Sequence, residues 1–405
     1  MLEARGMMQR TIRLFAIFLG IVLPSLVFAV VDLGEIHHKG EAAALPIQVA
    51  SSQSSLEGIA KKAFSLHGGY VLVDEENAAY TFRLTPKGAR SVELAIESGK
   101  PPRVLFKKEG SGVDLTQATL KACDLAVEKT LGIPGFFAGK LAFMSDRNGY
   151  KEIYTSDLLF QDVKQITHDR SYSVLPHWSP NGQEMTYTGY YYSAFPDLFL
   201  VNMKTGQRKP IATYKGTNTG GVFSPSGKEI AMILSSSGNP ELYIANAEGK
   251  RPRRITQDPG LEASPTWSPD GKRLIVTSDR RGGPQLYEVN PKTKEMQRLP
   301  TNISRYCDEA DWNHRKPHLV AFTAAVSRSF QIALYDFKTR KAAFLTKESG
   351  DCLEPCWTSD GRHLIFTHRT GRDKQLHILD TKTGKIAPLH TKKFGSASEP
   401  SFVYP

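Results

Sequence analysis

The sequence predicts a mainly β chain in which a six-bladed β-propeller follows a small α/β domain. The first observation is a recurring unit, in which an aromatic residue precedes a turn such as WSPDG and apolar strands follow. The aromatic residues of this unit are Trp178, Phe223, Trp267, Trp312 and Trp357, at spacings of 45, 44, 45 and 45 residues. A period in the forties, rich in strands and turns, is typical of propeller blades.

The two ends of the repeat region supply the second observation, because each holds part of a unit. The segment LAFMSDRNG, from Leu141, has no aromatic turn ahead of it. The C-terminal EPSFVYP is an opening strand with no unit after it, and Phe402 lies 45 residues after Trp357. Pairing the C-terminal strand with the first three strands completes the sixth blade, and closing the ring removes exposed strand edges.

Each part of the repeat has a predicted structural role. The aromatic side chain is expected to lie buried between blades. Proline in the turn presets a φ near −65°, and glycine accepts the conformation that closes the hairpin. The run Tyr190 to Tyr192 falls between strands, where it could form an exposed contact patch or pack within the blades.

Residues 1–29 have the pattern of a secretory signal peptide. Three arginines precede an apolar run at 14–23, and Val-Phe-Ala at 27–29 supplies small residues for a signal peptidase. Cleavage would remove three arginines and one glutamate, so the formal net charge would fall from +11 to +9. The alternative is a retained anchor, because residues 14–31 form a charge-free run of 18 residues. We expect cleavage, since a glycine and a proline interrupt the run, and no membrane span remains afterwards.

Residues 30–135 lack the repeat and are predicted to form the α/β domain, while residues 136–405 form the propeller. The predicted strands of the α/β domain are 30–33, 46–50, 70–73, 80–84, 92–96 and 104–106. The first helix is expected to begin with a capping box between Ser54 and Glu57. The second should begin at Asp114, with Gln117 in the capping position, and end at Gly132.

Composition argues against several function classes. The net charge of +11 would permit an acidic partner, but lysine and arginine are spread over every repeat, so nucleic-acid binding is not expected. The four cysteines lack CxxC spacing, which argues against a zinc site. Cys352 could pair with Cys356 in one loop, and free thiols are the default. No metal or cofactor is expected.

A group of acidic residues forms the candidate site. Glu309, Glu354 and Glu399 each lie three residues before the aromatic residue of consecutive blades. Three further acids lie in or near the corresponding loops: Glu262, Asp308 and Asp311. Because these loops lead into the innermost strands, the three glutamates should form an arc, the glutamate arc, at one mouth of the central channel. The arc could contact a basic protein partner, hold a structural Ca²⁺, or accept hydrogen bonds from loop backbones; we expect a protein contact.

The order of parts resembles the TolB family of Gram-negative bacteria. A signal peptide, a small α/β domain, the junction EKTLGIPGFF at 128–137 and six WSPDG-type blades occur in that order. The resemblance implies a non-enzymatic, monomeric adaptor of the periplasm. Such an adaptor binds the peptidoglycan-associated lipoprotein Pal at the propeller mouth and TolA through its mature N-terminal segment, and it couples inner-membrane energy to outer-membrane constriction at division.

The resemblance also assigns candidate site residues by position. The loops that contact Pal in the family correspond to 217–221, 262–264, 308–311 and 351–354. With the arc included, the predicted Pal-facing residues are Thr217, Gly220, Glu262, Ala263, Asp308, Glu309, Asp311, Glu354 and Glu399. The segment that resembles the TolA-binding stretch contains Val31, Asp32, Leu33 and Gly34.

An enzyme is the alternative from another class. No G-x-S-x-G, HExxH, Walker A or GxGxxG motif occurs in the sequence. A hydrolase or lyase site assembled at the channel mouth from carboxylates of several blades would escape a motif search. Turnover that depends on one of these carboxylates would support the enzyme, and capture of an OmpA-like lipoprotein domain would support the adaptor.

Overall fold

The computed structural model describes residues 44–193 and 195–404. Its first part is a five-stranded sheet with two helices on one face. The strands are β1 (Leu45–Ser51), β2 (Tyr70–Leu72), β3 (Tyr80–Gly88), β4 (Ser91–Ser98) and β5 (Arg103–Ser111). The helices are α1 (Ser54–Leu66) and α2 (Leu115–Leu131), and short 3-10 turns lie at Glu75–Asn77 and Lys392–Phe394. The predicted signal peptide, the predicted strand 30–33 and the segment 31–34 lie outside the described residues.

The sheet has the order β2-β1-β3-β4-β5. Strand β1 is parallel to β2 and to β3, and the later pairs are antiparallel. The two helices contact each other and the sheet, so their apolar sides form one core with it. Phe64 of α1, Phe82 of β3 and Ala122 of α2 are almost completely buried in this core.

The sequence predicted the ends of helix α2 correctly but the start of helix α1 wrongly. Helix α2 begins as predicted, since the Asp114 carboxylate accepts from the Gln117 backbone N–H at 2.8 Å, and it ends at Gly132, whose φ is 67°. The capping box predicted for α1 is wrong. Gln53 occupies the cap position without a side-chain bond, and Glu57 instead pairs with Lys61 at 2.5 Å. No helix within the described ranges is long and apolar enough to cross a bilayer.

The remaining strands form six four-stranded antiparallel sheets, which confirms the predicted propeller. Blade 1 contains β6 (Lys140–Ser145), β7 (Glu152–Asp157) and β8 (Lys164–Gln165). Blades 2 and 3 contain β9 (Ser173–Trp178), β10 (Glu184–Gly189), β11 (Asp197–Asn202), β12 (Arg208–Ala212), β13 (Asn218–Phe223), β14 (Glu229–Leu234), β15 (Glu241–Asn246) and β16 (Arg253–Arg254). Blade 4 contains β17 (Glu262–Trp267), β18 (Leu274–Ser278), β19 (Gln285–Val289) and β20 (Met296–Arg298). Blades 5 and 6 contain β21 (Cys307–Trp312), β22 (Leu319–Val326), β23 (Ser329–Asp336), β24 (Lys341–Phe344), β25 (Asp351–Trp357), β26 (His363–Thr370), β27 (Asp373–Asp380) and β28 (Ile386–Pro388).

The last strand of the chain closes the ring, as the sequence predicted. Strand β29 (Ser398–Val403) pairs antiparallel with β6 and becomes the inner strand of blade 1. Gly139, just before β6, leaves room for the Phe402 ring, because a Cβ at this position would lie 2.0 Å from that ring. The Tyr404 hydroxyl then donates to the Asp124 carboxylate of α2 at 2.9 Å. The end of the ring is thereby tied to the first part of the chain.

The aromatic residue that ends each inner strand packs between blades. Trp267 is 2% exposed, and its indole N–H donates to the Val222 carbonyl of the preceding blade at 3.0 Å. The indole of Trp357 makes the equivalent bond to the Asp311 carbonyl at 3.1 Å. Burying an indole removes roughly 200 Å² from water, so each of these residues holds two blades together through apolar contact and one directed bond.

The two faces of the propeller differ. Inner strands begin at one face, the mouth face, and end at the opposite face, the domain face, where the WSPDG-type turns lie. The first part of the chain packs on the domain face. There Lys62 donates to the Leu159 carbonyl at 2.6 Å, and the Ser359 hydroxyl donates to the Gly135 carbonyl at 3.3 Å. The mouth face lies on the opposite side of the ring.

Candidate functional site at the mouth of the propeller channel

A cavity of about 1130 Å³ follows the axis of the propeller and is lined by the inner strands of all six blades. Eight of the nine predicted Pal-facing residues contribute to its lining: Thr217, Gly220, Glu262, Ala263, Glu309, Asp311, Glu354 and Glu399. Asp308 is the ninth, and its side chain bonds to the neighbouring blade instead. The fold therefore gathers the predicted residues from distant parts of the sequence around one channel.

Each inner strand contains one residue with a left-handed backbone near its start. These residues and their φ values are Leu175 (54°), Gly220 (69°), Ser264 (46°), Glu309 (54°), Glu354 (56°) and Glu399 (57°). At each of these positions the register between the inner strand and the second strand shifts, as in a β-bulge. The conformation costs a non-glycine residue on the order of 1–3 kcal/mol, so neighbouring contacts must hold it in place.

The glutamate arc supplies such contacts from one blade to the next. The backbone N–H of Glu354 donates to Glu309 Oε2 at 3.0 Å, and that of Glu399 donates to Glu354 Oε2 at 2.7 Å. The backbone N–H of Leu175 donates to Glu399 Oε2 at 2.6 Å. Among the described residues, every hydrogen bond to these carboxylates is made to Oε2, which leaves each Oε1 for a donor from outside the chain. The arc is thus part of the scaffold and part of the channel wall.

Burial and mutual repulsion change the protonation of the arc. Burial, followed by the charge of Glu354, raises the pKa of Glu309 to about 8 and that of Glu399 to about 7. Burial also raises the pKa of Asp311, whose carboxylate accepts from the Trp357 backbone N–H at 2.7 Å. Near neutral pH this stretch of wall therefore carries less negative charge than its carboxyl groups suggest.

Two other predicted acids are committed to contacts within the ring. The Asp308 carboxylate accepts from the hydroxyls of Ser264 at 2.9 Å and Thr277 at 2.6 Å, and so joins blades 4 and 5. Glu262 is 1% exposed and accepts from the Ser278 hydroxyl at 2.9 Å. Burial, followed by a close contact with Glu241, raises the pKa of Glu262. Glu262 is thus held in the wall of the channel, and Asp308, which is partly exposed, is held at the junction of two blades.

Sequence reasoning missed the left-handed residues, although one signal could have found them. Among the six equivalent positions only Gly220 is a glycine, and a glycine at a recurring strand position is a sign of a bulge. The tyrosine run was singled out, with two interpretations left open. The structure exposes Tyr190, Tyr191 and Tyr192 on the mouth face, at 45%, 36% and 61%.

Within the described ranges, one grouping brings three potential metal ligands together, namely His67, Asp360 and His363. It lies on the domain face, away from the channel mouth. His363 Nδ1 is 2.6 Å from the Asp360 carboxylate, while His67 Nδ1 accepts from the Gly69 backbone N–H at 2.9 Å. An accepting Nδ1 places the proton of neutral His67 on Nε2, and that nitrogen then has no lone pair for a metal. The donor set fits a buried ionic network better than a metal site.

These features define a class of protein: a closed six-bladed propeller of WSPDG-type repeats, with an α/β part on one face and a channel mouth on the other. A family model described as the TolB beta propeller domain matches residues 127–404. The chain belongs to this TolB β-propeller family.

Curated relatives and solved structures agree with that assignment. Over 154 residues the chain is 32% identical to the Tol-Pal system protein TolB of Desulfosudis oleivorans, an alignment that covers 38% of this chain and 35% of the relative. It is 29% identical over 160 residues to the protein of the same name from Desulfotalea psychrophila, covering 39% and 36%. The chain thus matches about a third of the length of these relatives. The crystal structure of TolB from Acinetobacter baumannii superposes with a TM-score of 0.78, at 22% identity, over 89% of this chain and 97% of that one, which shows a shared fold.

Proposed function

We propose that this chain is a non-enzymatic adaptor of the Tol-Pal system in the periplasm. It binds the OmpA-like domain of the lipoprotein Pal at the mouth face and TolA through Val31 to Gly34, and it supports outer-membrane integrity and invagination during division. One observation carries the proposal: the predicted Pal-facing residues surround one channel whose mouth lies opposite the face that the α/β part occupies. The family assignment and the names of the relatives support it.

The bonding of the carboxylates suits a docking surface. Glu309 and Glu354 each accept a backbone N–H of the next blade and a threonine hydroxyl of their own blade, from Thr323 at 2.7 Å and Thr367 at 2.6 Å. These bonds commit Oε2 to holding neighbouring blades together, which gives the channel mouth a fixed shape and leaves Oε1 for a partner.

The direct test is binding of the purified mature chain to the OmpA-like domain of Pal from the same organism. Calorimetry should give saturable one-to-one binding, and affinity capture from envelope extract should recover the full lipoprotein. Repeating the titration in EDTA and in excess Ca²⁺ tests whether an ion on the arc contributes. Absence of binding in every condition would remove the adaptor proposal.

The arc is tested by substitutions that keep its hydrogen-bond acceptors. Glu309→Gln and Glu354→Gln remove charge but retain a side-chain oxygen for the neighbouring N–H, whereas lysine would break the contact between blades. If the arc attracts a basic surface, these variants should weaken binding about 3- to 10-fold when it is measured above about pH 8, where Glu309 ionises, and more so at low salt. Glu248→Gln is the matched control, because Glu248 is an exposed acid in a turn on the domain face.

The TolA contact is tested separately. A mature chain that begins at residue 35 lacks the proposed segment and keeps every described residue. It should lose binding to TolA while its affinity for the Pal domain stays unchanged. Retained TolA binding would place that contact elsewhere on the chain.

A further inference from the structure

The exposed apolar side chains of the propeller are gathered on one face. Among the described residues, nine large apolar or aromatic side chains of the propeller are at least 36% exposed. They are Tyr150, Tyr172, Leu175, Tyr190, Tyr191, Tyr192, Phe195, Tyr214 and Leu261. All nine lie in loops or strand starts at the mouth face, in blades 1 to 4. Single exposed apolar residues need no explanation, but a contiguous group on one side of a ring indicates an interaction surface.

Six of these residues form the aromatic sector: Tyr172, Tyr190, Tyr191, Tyr192, Phe195 and Tyr214. Neighbouring side chains hold one of these rings, that of Tyr191, in place. The Tyr191 ring stacks on Phe199 with centroids 5.0 Å apart, and the Arg208 guanidinium lies 5.4 Å from its centroid. Arg208 is itself fixed by the Asp169 carboxylate at 2.7 Å. Tyr191 therefore loses little freedom when a partner covers it, which favours tight binding.

The neighbouring loop is ordered in a similar way. The Tyr190 backbone N–H donates to the Tyr172 carbonyl at 2.9 Å, and the two rings meet edge to face with centroids 6.0 Å apart. Lys151 Nζ lies 5.0 Å from the Tyr172 centroid. The loops at the adjoining ends of β9 and β10 in blade 2, together with Lys151 of blade 1, thus form one surface that displays rings with adjacent cations. Tyrosine and arginine are the residues most often found at the energetic centres of protein interfaces.

The aromatic sector is continuous with the glutamate arc. Leu175, whose side chain is 38% exposed, donates its backbone N–H to the Glu399 carboxylate. Tyr190 is close enough to Glu399 for that charge to add to the effect of burial in raising the pKa of its hydroxyl. One side of the channel mouth is therefore aromatic, the other is acidic, and the two sides meet at blades 1 and 2.

The size of the sector fits a protein partner. A tyrosine or phenylalanine buries about 150–250 Å² when fully covered, so six rings that are 36–61% exposed offer roughly 600 Å². A stable protein interface buries about 800 Å² on each side, so the sector would supply much of it. One or two sugar rings would cover only a small part.

We infer that the aromatic sector is the anchor of the partner-binding face. The folded domain that docks at the mouth seats apolar side chains on these rings and places hydrogen-bonding groups against the Oε1 atoms of the arc. The inference rests on the proposed function, because it assigns most of the affinity of that same contact to residues outside the predicted loops. Binding through this anchor should depend only weakly on ionic strength.

The experiment measures the affinity of the full mature chain for the purified OmpA-like domain by calorimetry. Tyr190→Ala and Tyr192→Ala should each raise Kd roughly 30-fold, the effect of a hot-spot residue. Tyr192→Phe should retain most of the affinity. Leu105→Ala is the matched control, since Leu105 is 58% exposed on an edge strand of the first part of the chain and should change Kd less than about twofold.

The outcomes separate this inference from the proposed function. If the wild-type chain binds and both alanine variants bind equally well with unchanged melting temperatures, the inference is overturned while the adaptor proposal stands. If the wild-type chain does not bind the domain at all, both fall. Affinity that drops more than about tenfold between about 50 mM and about 500 mM NaCl would assign the binding energy to the arc instead. The wild-type chain could also bind glycan fragments. If the tyrosine variants lose that binding while their affinity for the OmpA-like domain is unchanged, the sector is a carbohydrate site.

Discussion

Glu309, Glu354 and Glu399 combine a left-handed backbone with a buried carboxylate, and the two properties depend on each other. The bulge directs each side chain across the blade junction, where Oε2 accepts the backbone N–H of the equivalent residue in the next blade. That bond in turn offsets the unfavourable φ. The arrangement keeps three carboxyls close together, and the pKa values of Glu309 and Glu399 rise because burial and the nearby charge of Glu354 disfavour their charged forms.

Replacing Glu309 by glutamine should change how stability depends on pH. Because the folded-state pKa of Glu309 is raised from 4.5 to about 8, the stability it contributes is present below pH 4.5 and is lost as the pH rises toward 8. Glu309→Gln keeps the acceptor and cannot ionise. Relative to wild type, the variant should therefore gain about 4 kcal/mol between pH 5 and pH 9, measured by urea unfolding at both values.

The control for this titration is Glu248→Gln. The pKa of Glu248 is lowered by its bond to Lys250, so this carboxyl is ionised at both pH values and the difference from wild type should stay constant. Equal behaviour of Glu309→Gln and Glu248→Gln would mean that the channel wall does not hold a proton near neutral pH. Thr323→Val, which removes a donor to Glu309, should raise the pKa further and extend the loss of stability to higher pH.

How far the site could be predicted is clearest at these same residues. The sequence located the arc, because a fixed distance from the repeat aromatic places all three glutamates at one point of each blade. Their bonding could not be read from the sequence, since the N–H that each one accepts belongs to a residue 45 positions later along the chain or, for Glu399, to Leu175. The bonding of Glu262 was missed for a related reason: its partner Glu241 is a third-strand residue of the preceding blade.

Elements that carry their own local signals were predicted well. Helix α2 has a capping aspartate, a glutamine three residues later and a terminal glycine, and the structure uses all three. The first helix shows where local signals fail. After β1 the chain turns so sharply that Ser51 accepts the Gln53 N–H at 3.2 Å, and the helix has already begun at Ser54. The neighbouring strand, rather than the sequence motif, sets this boundary.

Two glycine-to-alanine substitutions should change the stability of the protein in opposite directions. A Cβ on Gly139 would lie 2.0 Å from the Phe402 ring, so Gly139→Ala should displace the closing strand and lower stability by about 1–3 kcal/mol. Gly58 lies on the exposed side of α1 with nothing within 4 Å of such a Cβ, so Gly58→Ala should raise stability by about 0.5–1 kcal/mol. Chemical denaturation measures both, and equal shifts would contradict the packing described at the ring closure.

Removal of the closing strand should open the propeller. A chain that ends at residue 397 loses the inner strand of blade 1 and leaves β6 with an unpaired edge. We expect the melting temperature to fall by roughly 5 °C or more, with a gain in self-association detectable by light scattering. A synthetic peptide of residues 397–404 should restore the melting temperature, whereas a scrambled peptide should not. Unchanged melting of the truncated chain would mean that closure contributes little to stability.

At the scale of the whole molecule, a buried ionic cluster joins the propeller to the first part of the chain. Arg362 donates to both Asp380 oxygens at 2.8 and 2.6 Å, and His363 lies between Asp360 at 2.6 Å and Asp380 at 3.4 Å. Burial alone would lower the pKa of His363, but the two carboxylates raise it above its usual value. The ring of His67, 4.5 Å away, has its pKa held well below the usual range by burial and by the charge of His363. The first part of the chain therefore contributes a neutral ring to a charged cluster.

Gly68→Ala should separate the two parts without changing any residue of the cluster. A Cβ on Gly68 would lie 2.1 Å from Thr383 Oγ1 and 2.5 Å from Asp380 Oδ2. Because Arg362 fixes Asp380 in a buried position, the carboxylate cannot move aside cheaply, so the α/β part must lift from the domain face. Calorimetry should then resolve two unfolding transitions where the wild-type chain gives one. A protease of broad specificity should cut the linker at 132–135 faster.

The control for this separation is Gly88→Ala, which makes the same change in the same part of the chain, at an exposed position where nothing lies within 4 Å of the added Cβ. It should melt in one transition near the wild-type temperature. The mouth face is remote from the contact, so the proposed binding of the Pal domain should be within about twofold of wild type in Gly68→Ala. A large loss of binding would show that the position of the α/β part on the domain face controls the mouth, and a single unchanged transition would mean that the Gly68 contact does not hold the two parts together.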